Sequence, residues 1–319
     1  MAILGYVLLG AGGFFLGLKT LSGALEGLFS QNFRRKLGGA AREHLWQVFL
    51  VSIVFAGLVQ SSSAVTVIGV CLVNAGVLSL TDAVALTLGA NIGTTVTSQL
   101  ISFPLRRCIP WLFLVGLPVA FWGFATKRKG RRVYLVGLTL LGLGLLFTGF
   151  ELLQYALGQA ARSTEYFRAC LRWASTGPGE GFTAGLVGTG VLQSSSLFMA
   201  SIISLANQGA ISFTAAFFAM LGSNIGTSFT TLLAGLGASR AGKAASLANL
   251  SFNILSVLLI LPFWYLLATW AQGSSSVPGR QLANAHTAFN VITAVAVLPL
   301  APALAGFLGK ITNLHTRED

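Results

Sequence analysis

The stretch Gln-Ser-Ser-Ser occupies positions 60–63 of this chain and returns at positions 193–196. A second stretch, Gly-Ala-Asn-Ile-Gly-Thr at 89–94, returns as Gly-Ser-Asn-Ile-Gly-Thr at 222–227. The members of both pairs are 133 residues apart. Two gapless matches at one spacing indicate an internal duplication. The first pair is called the QSSS segments below.

The composition is that of a membrane protein. Hydrophobic residues make up 54% of the 319 residues and charged residues only 9%, whereas a soluble domain carries about 25% charged residues. Several apolar windows approach the roughly 20 residues that cross a bilayer. Lipid is therefore the expected solvent. Because no basic segment precedes the first apolar window, we interpret that window as a membrane helix and not as a removed signal.

The charges predict a membrane orientation. The net charge is +12, but basic runs such as 34–36 and 127–132 stand in short loops between apolar segments. This pattern is typical of membrane topology and lipid contact, and no nucleic acid partner is expected. With the N-terminus outside and the C-terminus cytoplasmic, thirteen Lys and Arg residues fall in inner loops and six in outer ones. The bias predicts a multi-pass protein of the cell (inner or plasma) membrane with two inverted repeats.

The duplication divides the chain into two repeats and a tail. Repeat 1 covers 1–130, with a hairpin at about 44–77 and a broken helix at about 80–102. Repeat 2 covers 131–270, with a hairpin at about 180–209 and a broken helix at about 212–235. Residues 271–319 add a loop and one further C-terminal membrane helix. The predicted fold class is an all-α integral membrane protein with two inverted-topology repeats, each with a re-entrant hairpin whose tip is a QSSS segment.

The QSSS segments carry the chemistry of a solute site. Consecutive polar side chains in an apolar membrane segment are costly unless they are satisfied. At a hairpin tip the returning half-helix presents free backbone N–H groups and its positive dipole end, which bind anions. Hydroxyl and carbonyl oxygens there also suit Na⁺. A single serine would more simply bond back to its own helix or pack against a neighbour, but two symmetric segments favour a binding site.

The glycine-asparagine stretches at 89–94 and 222–227 are interpreted as breaks in otherwise apolar helices. Glycine weakens a helix and asparagine competes with its backbone hydrogen bonds, so freed carbonyls could coordinate an ion. The competing interpretation is a packing notch where helices approach closely. Their symmetric position relative to the QSSS segments favours the ion-binding interpretation.

The other polar residues give weaker signals. Lys19 and Glu151 occupy equivalent repeat positions and are expected to reach toward headgroups, and His286 is expected to be a packing residue. Whether Cys108 and Cys170 pair stays open. No catalytic constellation, nucleotide-binding loop or metal-ligand cluster is present, so we expect neither an enzyme nor a transition metal or organic cofactor.

These motifs resemble the type II sodium–phosphate cotransporters (solute carrier family 34) and their bacterial relatives. The resemblance covers the two QSSS segments, the glycine-asparagine stretches and Gly-Leu-Lys-Thr-Leu-Ser at 17–22. The family commonly has an Ala-His-x-x-Phe-Asn segment. Here Ala248–Asn253 lacks the histidine, and the nearest match is His286–Asn290 in the last helix.

The resemblance implies a secondary active transporter that moves inorganic phosphate with Na⁺ as coupling ion. It implies that both QSSS segments bind phosphate, to which we add the two asparagines; the predicted phosphate ligands are Gln60, Ser61, Ser62, Ser63, Gln193, Ser194, Ser195, Ser196, Asn91 and Asn224. The implied sodium ligands are Gln193, Ser194, Thr227 and Thr230, and symmetry alone adds Gln60, Ser61, Thr94 and Thr97. The open alternatives are another oxyanion, phosphate export, or a non-transporting phosphate sensor. Self-association into a homo-oligomer is also left open.

Overall fold

The computed structural model describes residues 2–40, 45–103, 105–126 and 130–312, with backbone only at 26, 29–40 and 105. The described residues form helices and connecting turns, with no strand. Six of their helices are long and apolar enough to cross a membrane: Ala2–Leu25, Arg106–Ala125, Arg131–Ser163, Phe213–Leu236, Arg240–Gly273 and Pro278–Ile311. The predicted all-α, multi-pass membrane class is therefore confirmed.

The described residues form fifteen α-helices. In the first half they are α1 (Ala2–Ala40), α2 (Leu45–Val59), α3 (Ser62–Asn74), α4 (Leu80–Ser102) and α5 (Ile109–Ala125). In the second half they are α6 (Arg131–Ser163), α7 (Glu165–Ala174), α8 (Pro178–Leu192), α9 (Ser195–Asn207), α10 (Phe213–Gly226), α11 (Ser228–Leu236), α12 (Arg240–Ile260) and α13 (Trp264–Gly273). The tail forms α14 (Pro278–Val297) and α15 (Ala301–Ile311). Helix α7 was not predicted from the sequence.

Helices α2 and α3 form a hairpin whose tip is the first QSSS segment. A Cβ at Gly89 of α4 would meet the carbonyl oxygen of Phe49, and a Cβ at Gly93 would lie 2.7 Å from the Gly57 nitrogen. The contacted residue numbers rise together, so α2 and α4 are parallel neighbours. Between two parallel helices joined by α3, α3 must return the chain to its starting side.

The second half repeats this arrangement. A Cβ at Gly222 of α10 would lie 2.8 Å from the Leu186 nitrogen, and one at Gly226 would lie 2.7 Å from the Leu186 oxygen and 3.4 Å from the Gly190 nitrogen. Helices α8 and α10 are therefore parallel and α9 is the returning arm. Both hairpins close alike, because Gly76 (φ 71°) and Gly209 (φ 66°) adopt the left-handed conformation that glycine tolerates.

The helix break predicted at 80–102 is wrong. Helix α4 is continuous, and its glycines allow close packing on α2, as the competing interpretation held. The hydroxyls of Thr94 and Thr95 donate back to the carbonyls of Asn91 and Ile92 within the helix. The second stretch is interrupted only at Thr227, which keeps helical dihedral angles (φ −60°, ψ −27°).

The equivalent helices α1 and α6 pack against each other and run antiparallel. A Cβ at Gly10 would lie 2.6 Å from the Leu153 nitrogen, and one at Gly17 would lie 2.6 Å from the Leu146 Cα. As residue numbers rise along α1, the contacted numbers fall along α6. Small residues let the two backbones approach closely, as is common between membrane helices.

Helices α12 and α14 are a second related pair, which the sequence reasoning did not predict. The Oδ1 atom of Asn74, at the end of α3, accepts the Ser239 N–H at the start of α12 (2.8 Å). Asn207, the equivalent residue at the end of α9, accepts the Gly279 N–H in the first turn of α14 (2.7 Å). Each hairpin thus fixes the start of one helix. Both helices also end in a Leu-Pro 3₁₀ turn, at 261–263 and 298–300.

The cysteines are not paired. Cys71, Cys108 and Cys170 are free and exposed, which answers the pairing question left open above.

Candidate functional site

The tip of the first hairpin is a one-residue break in the helix. Gln60 has φ 57°, a left-handed conformation that is uncommon outside glycine, and its N–H still donates to the Ala56 carbonyl (2.7 Å). Ser61 is extended (φ −146°, ψ 105°), and its hydroxyl accepts the Ala64 N–H (3.2 Å), which caps α3. Serine caps a helix well because its oxygen satisfies one of the free N–H groups of the first turn.

The tip of the second hairpin repeats this geometry. Gln193 has φ 52°, and its N–H donates to the Thr189 carbonyl (2.8 Å). Ser194 has φ −148° and ψ 104° and caps α9 by accepting the Leu197 N–H (3.2 Å). The same four residue types therefore produce the same backbone twice, in two different surroundings.

Each tip glutamine is held at both ends of its amide. The Gln60 Oε1 accepts from the Thr97 hydroxyl (2.5 Å), and its Nε2 donates to the Gly57 carbonyl (2.6 Å). In the second copy Oε1 of Gln193 accepts from Thr230 (2.7 Å), and its Nε2 donates to Gly190. Each glutamine side chain thus stabilises the helix break by linking it to a neighbouring helix, α4 in the first copy and α11 in the second.

The two tips meet in one cavity of about 500 Å³. Both QSSS segments line it in full, so the structure brings together eight of the predicted phosphate ligands. The rest of the wall consists of Val59 and five residues of α1, which are Phe15, Leu18, Lys19, Ser22 and Gly23. Two helix N-termini and a lysine place positive charge at the cavity, and no carboxylate is among the described residues that line it.

A second, small cavity of about 10 Å³ lies next to the first, and Ser62 and Ser195 line both. About this volume holds one water-sized particle. Its remaining lining residues are Asn91, Thr94, Ser223, Asn224, Thr227, His286 and Asn290. The predicted ligands Asn91 and Asn224 therefore line the small cavity and not the large one, as do Thr94 and Thr227 of the predicted sodium sets.

The asparagines of the two stretches converge on one side chain of α12. Oδ1 of Asn253 accepts from Nδ2 of Asn91 (2.9 Å) and from Nδ2 of Asn224 (3.3 Å). Its own Nδ2 donates to the Ser228 hydroxyl (2.8 Å). A single amide thus connects the two copies across the centre of the molecule. Asn253 was not predicted as a site residue from the sequence.

Two further site residues on α14 were missed. His286, expected to be a packing residue, lines the small cavity and lies 3.0 Å from the Ser98 hydroxyl through Nδ1. Asn290 donates to the His286 carbonyl (2.9 Å), while its buried Oδ1 has no hydrogen-bond partner among the described residues. The usable signal was the similarity of Ala248–Asn253 to Ala285–Asn290, whose aligned residues lie on the paired helices α12 and α14.

A wide cleft of about 900 Å³ opens elsewhere, between α6 and the ends of α4, α9 and α14. Arg106 and Glu151 form an ion pair there (3.7 Å), and Arg162 also lines the cleft. Glu151 therefore pairs with a neighbouring helix end, whereas its repeat equivalent Lys19 lines the large cavity. The two residues that match in sequence have different partners in space.

Six helices long and apolar enough to cross a membrane, around a polar cavity at two helix N-termini, place the chain in the class of multi-pass membrane proteins. The chain belongs to the Na⁺/Pi-cotransporter family, whose family model matches it twice, over residues 14–155 and 151–298. This is a family of transporters, so phosphate transport is the activity of its class. The predicted family resemblance is confirmed.

The chain is similar to three curated proteins of different length. It is 34% identical over 263 residues to the uncharacterized protein YqeW of Bacillus subtilis, covering 81% of this chain and 82% of that one. It is 29% identical over 269 residues to YjbB of Escherichia coli K12, whose name proposes inorganic phosphate export; the match covers 82% of this chain and 47% of YjbB. It is 44% identical over 94 residues to human sodium-dependent phosphate transport protein 2C, covering 27% of this chain and 15% of that protein. The chain thus spans about half of YjbB, and no solved structure matches significantly.

Proposed function

We propose that this chain is a secondary active carrier that moves inorganic phosphate across the cell membrane together with Na⁺. The observation that carries the proposal is the 500 Å³ cavity in which both QSSS segments face each other at the N-termini of α3 and α9. Such termini favour anions through free N–H groups and the helix dipole. The human relative's name supports Na⁺ coupling.

The proposed phosphate ligands are the residues of the two QSSS segments, 60–63 and 193–196. Asn91 and Asn224 are proposed to act from the adjoining small cavity, since Ser62 and Ser195 border both spaces. Each proposed sodium set combines a tip glutamine and serine with two threonines, which lie on α4 in the first copy and at Thr227 and on α11 in the second. The hydrogen bonds Thr97–Gln60 and Thr230–Gln193 support this grouping, because they join the two halves of each set.

The proposed topology is a pair of inverted repeats with re-entrant hairpins, with the N-terminus outside and the C-terminus cytoplasmic. The antiparallel packing of α1 on α6 supports the inversion, because equivalent helices of the two copies point in opposite directions. Helices α2 and α8 have 15 residues each, about 22 Å, which is short of the roughly 30 Å hydrocarbon core. Their return through α3 and α9 supports entry and exit on one side.

The proposal is tested by flux into proteoliposomes. Purified protein should take up radiolabelled phosphate when an inward Na⁺ gradient is imposed, and much less with an equal K⁺ gradient. Ser62→Ala and Ser195→Ala should each raise the phosphate KM, since a charge-assisted hydrogen bond is worth about 1.5–3 kcal/mol. Phosphate uptake indifferent to Na⁺ would remove the coupling, and no phosphate flux in either direction would remove the transport function.

Export is a second candidate for the direction of transport, favoured by the name of YjbB. The same vesicles distinguish it. Vesicles that contain the protein in one orientation and are loaded with phosphate should show phosphate efflux that follows the imposed ion gradient. Because a carrier is reversible, the preferred direction is then judged from the relative KM values on the two faces.

A further inference from the structure

Lys19 is the one ionisable side chain among the described residues that line the QSSS cavity. It lies on α1 between Phe15 and Ser22, which also line the cavity. The Ser22 hydroxyl donates to the Val59 carbonyl (2.9 Å), next to the first tip. This bond fixes the α1 turn that carries Lys19 against the first hairpin.

Lys19 lies within the apolar span Ala2–Leu25 of α1, and its side chain is exposed. Gly17 of α1 packs against Leu146, which is close to the middle of α6 (Arg131–Ser163). Lys19 is two residues further along α1, about 3 Å. An ammonium group within a membrane span is costly unless it is paired or hydrated.

Within the described residues, no carboxylate pairs with the Lys19 ammonium. Lys19 has no carboxylate oxygen within 4.0 Å there, and Glu151 at the equivalent repeat position is paired with Arg106 instead. The other polar groups of the cavity wall are hydroxyls, amides and helix N-termini, which carry no negative charge. Among the described residues, therefore, no group neutralises the ammonium, and an anion in the cavity would supply the complementary charge.

We propose that the Lys19 ammonium binds the transported oxyanion directly, opposite the N-termini of α3 and α9. The inference rests on the proposed function and adds to it a counter-charge outside the duplicated motifs. Lysine suits the task, because its ammonium has three donors on a flexible stem that can follow a moving substrate. An ammonium without a fixed protein partner also binds an anion without first breaking an ion pair.

The first test compares phosphate KM values in the proteoliposome assay. Lys19→Met should raise the phosphate KM about 10- to 100-fold, the worth of one charge-assisted hydrogen bond, with little change in the Na⁺ dependence. Lys19→Arg, which keeps the charge, should recover most of the affinity. Lys310→Met is the matched control, because Lys310 is exposed on α15 and does not line the cavity. A wild-type KM in Lys19→Met overturns the inference.

The second test reads binding without flux. Lys19→Cys is made in a background lacking Cys71, Cys108 and Cys170, and the rate of labelling by a charged methanethiosulfonate reagent is measured. Phosphate and arsenate should slow the labelling at constant ionic strength, and attachment of an aminoethyl group should restore phosphate affinity. An unchanged labelling rate overturns the inference.

The two proposals fail in different ways. If phosphate protects the introduced thiol but the wild-type protein carries no flux, transport fails and the role of Lys19 stands. If wild-type transport is robust and Lys19→Met matches the Lys310→Met control, transport stands and Lys19 is removed from the site.

Discussion

The two hairpin tips have the same backbone and different surroundings. Gln60 and Gln193 differ by 5° in φ, and both use their amides in the same two hydrogen bonds. Gln60, however, is buried with 2% exposure, whereas Gln193 is exposed. The local sequence therefore determines the geometry of a tip, and the packing of other helices determines how far it is covered.

This difference has a plain structural origin. The first tip is bonded to α1 through Ser22, while the second tip has no equivalent bond among the contacts that the structure describes. A duplicated sequence thus yields one covered tip and one open tip. Under the proposed carrier function, this asymmetry would correspond to a site open to one side of the membrane at a time.

The largest expected effect tests what the halves share. Gly89→Val and Gly222→Val should each lower the free energy of unfolding by more than about 4 kcal/mol and so prevent stable folding. The reason is that a side chain there meets the backbone of the neighbouring hairpin arm. The yield of monodisperse protein in detergent is the measurement. Gly12→Val is the control, since a Cβ there meets nothing within 4 Å. A folded variant in one half only would show that the two hairpin contacts are not equivalent.

The second prediction compares the paired helices α12 and α14. Asn253→Leu should cost about 3 kcal/mol or more, because it leaves the amides of Asn91 and Asn224 and the Ser228 hydroxyl without partners. Asn290→Leu should cost about 1 kcal/mol or less, because its Oδ1 is already unpartnered. Chemical denaturation in micelles measures both. Equal losses would contradict a central role for the Asn253 bridge.

The sequence predicted the all-α membrane class because hydropathy acts over many residues. The helix pairs α2–α3 and α8–α9 cover 45–74 and 178–207, the regions for which hairpins at 44–77 and 180–209 were predicted, and their re-entrant path through the membrane stays a prediction. The eight QSSS residues were predicted as one site and line one cavity. Local motifs were sufficient here, because capping serines and a left-handed glutamine act within a few residues of the break.

The remainder depends on contacts that no local pattern encodes. Gly89 and Gly93 weaken a helix in isolation, yet α2 packs against them and α4 stays continuous. The ends of the two hairpins fix the starts of α12 and α14. Only this tertiary placement brings Asn253, His286 and Asn290 to the residues of the two copies. The position of Lys19 beside the two tips likewise depends on how α1 packs against the first hairpin.

The third prediction concerns the covered and open tips directly. Gln60→Ala should destabilise the protein by about 1–3 kcal/mol, because the Thr97 hydroxyl loses its partner in a buried setting. Gln193→Ala should cost less than about 1 kcal/mol, since water can replace the lost bonds at an exposed tip. Denaturation curves of the two variants provide the comparison. If Gln193→Ala were the more costly, exposure would not explain the difference between the tips.

The smallest expected effect concerns the equivalent positions Lys19 and Glu151. Arg106→Gln breaks the ion pair with Glu151. The Arg106 side chain is 81% exposed and the Glu151 side chain 34%, so the free energy of unfolding should change by less than about 1 kcal/mol. Denaturation curves at low and high salt measure the change, and any difference from wild type should shrink at high salt because exposed ion pairs are screened. Lys19→Met should lower phosphate affinity without a comparable loss of stability. A large loss of stability in Arg106→Gln would instead make the Glu151 pair a structural link between α6 and the 3₁₀ turn at Leu105–Cys108, and the functional contrast between the two equivalent positions would then no longer hold.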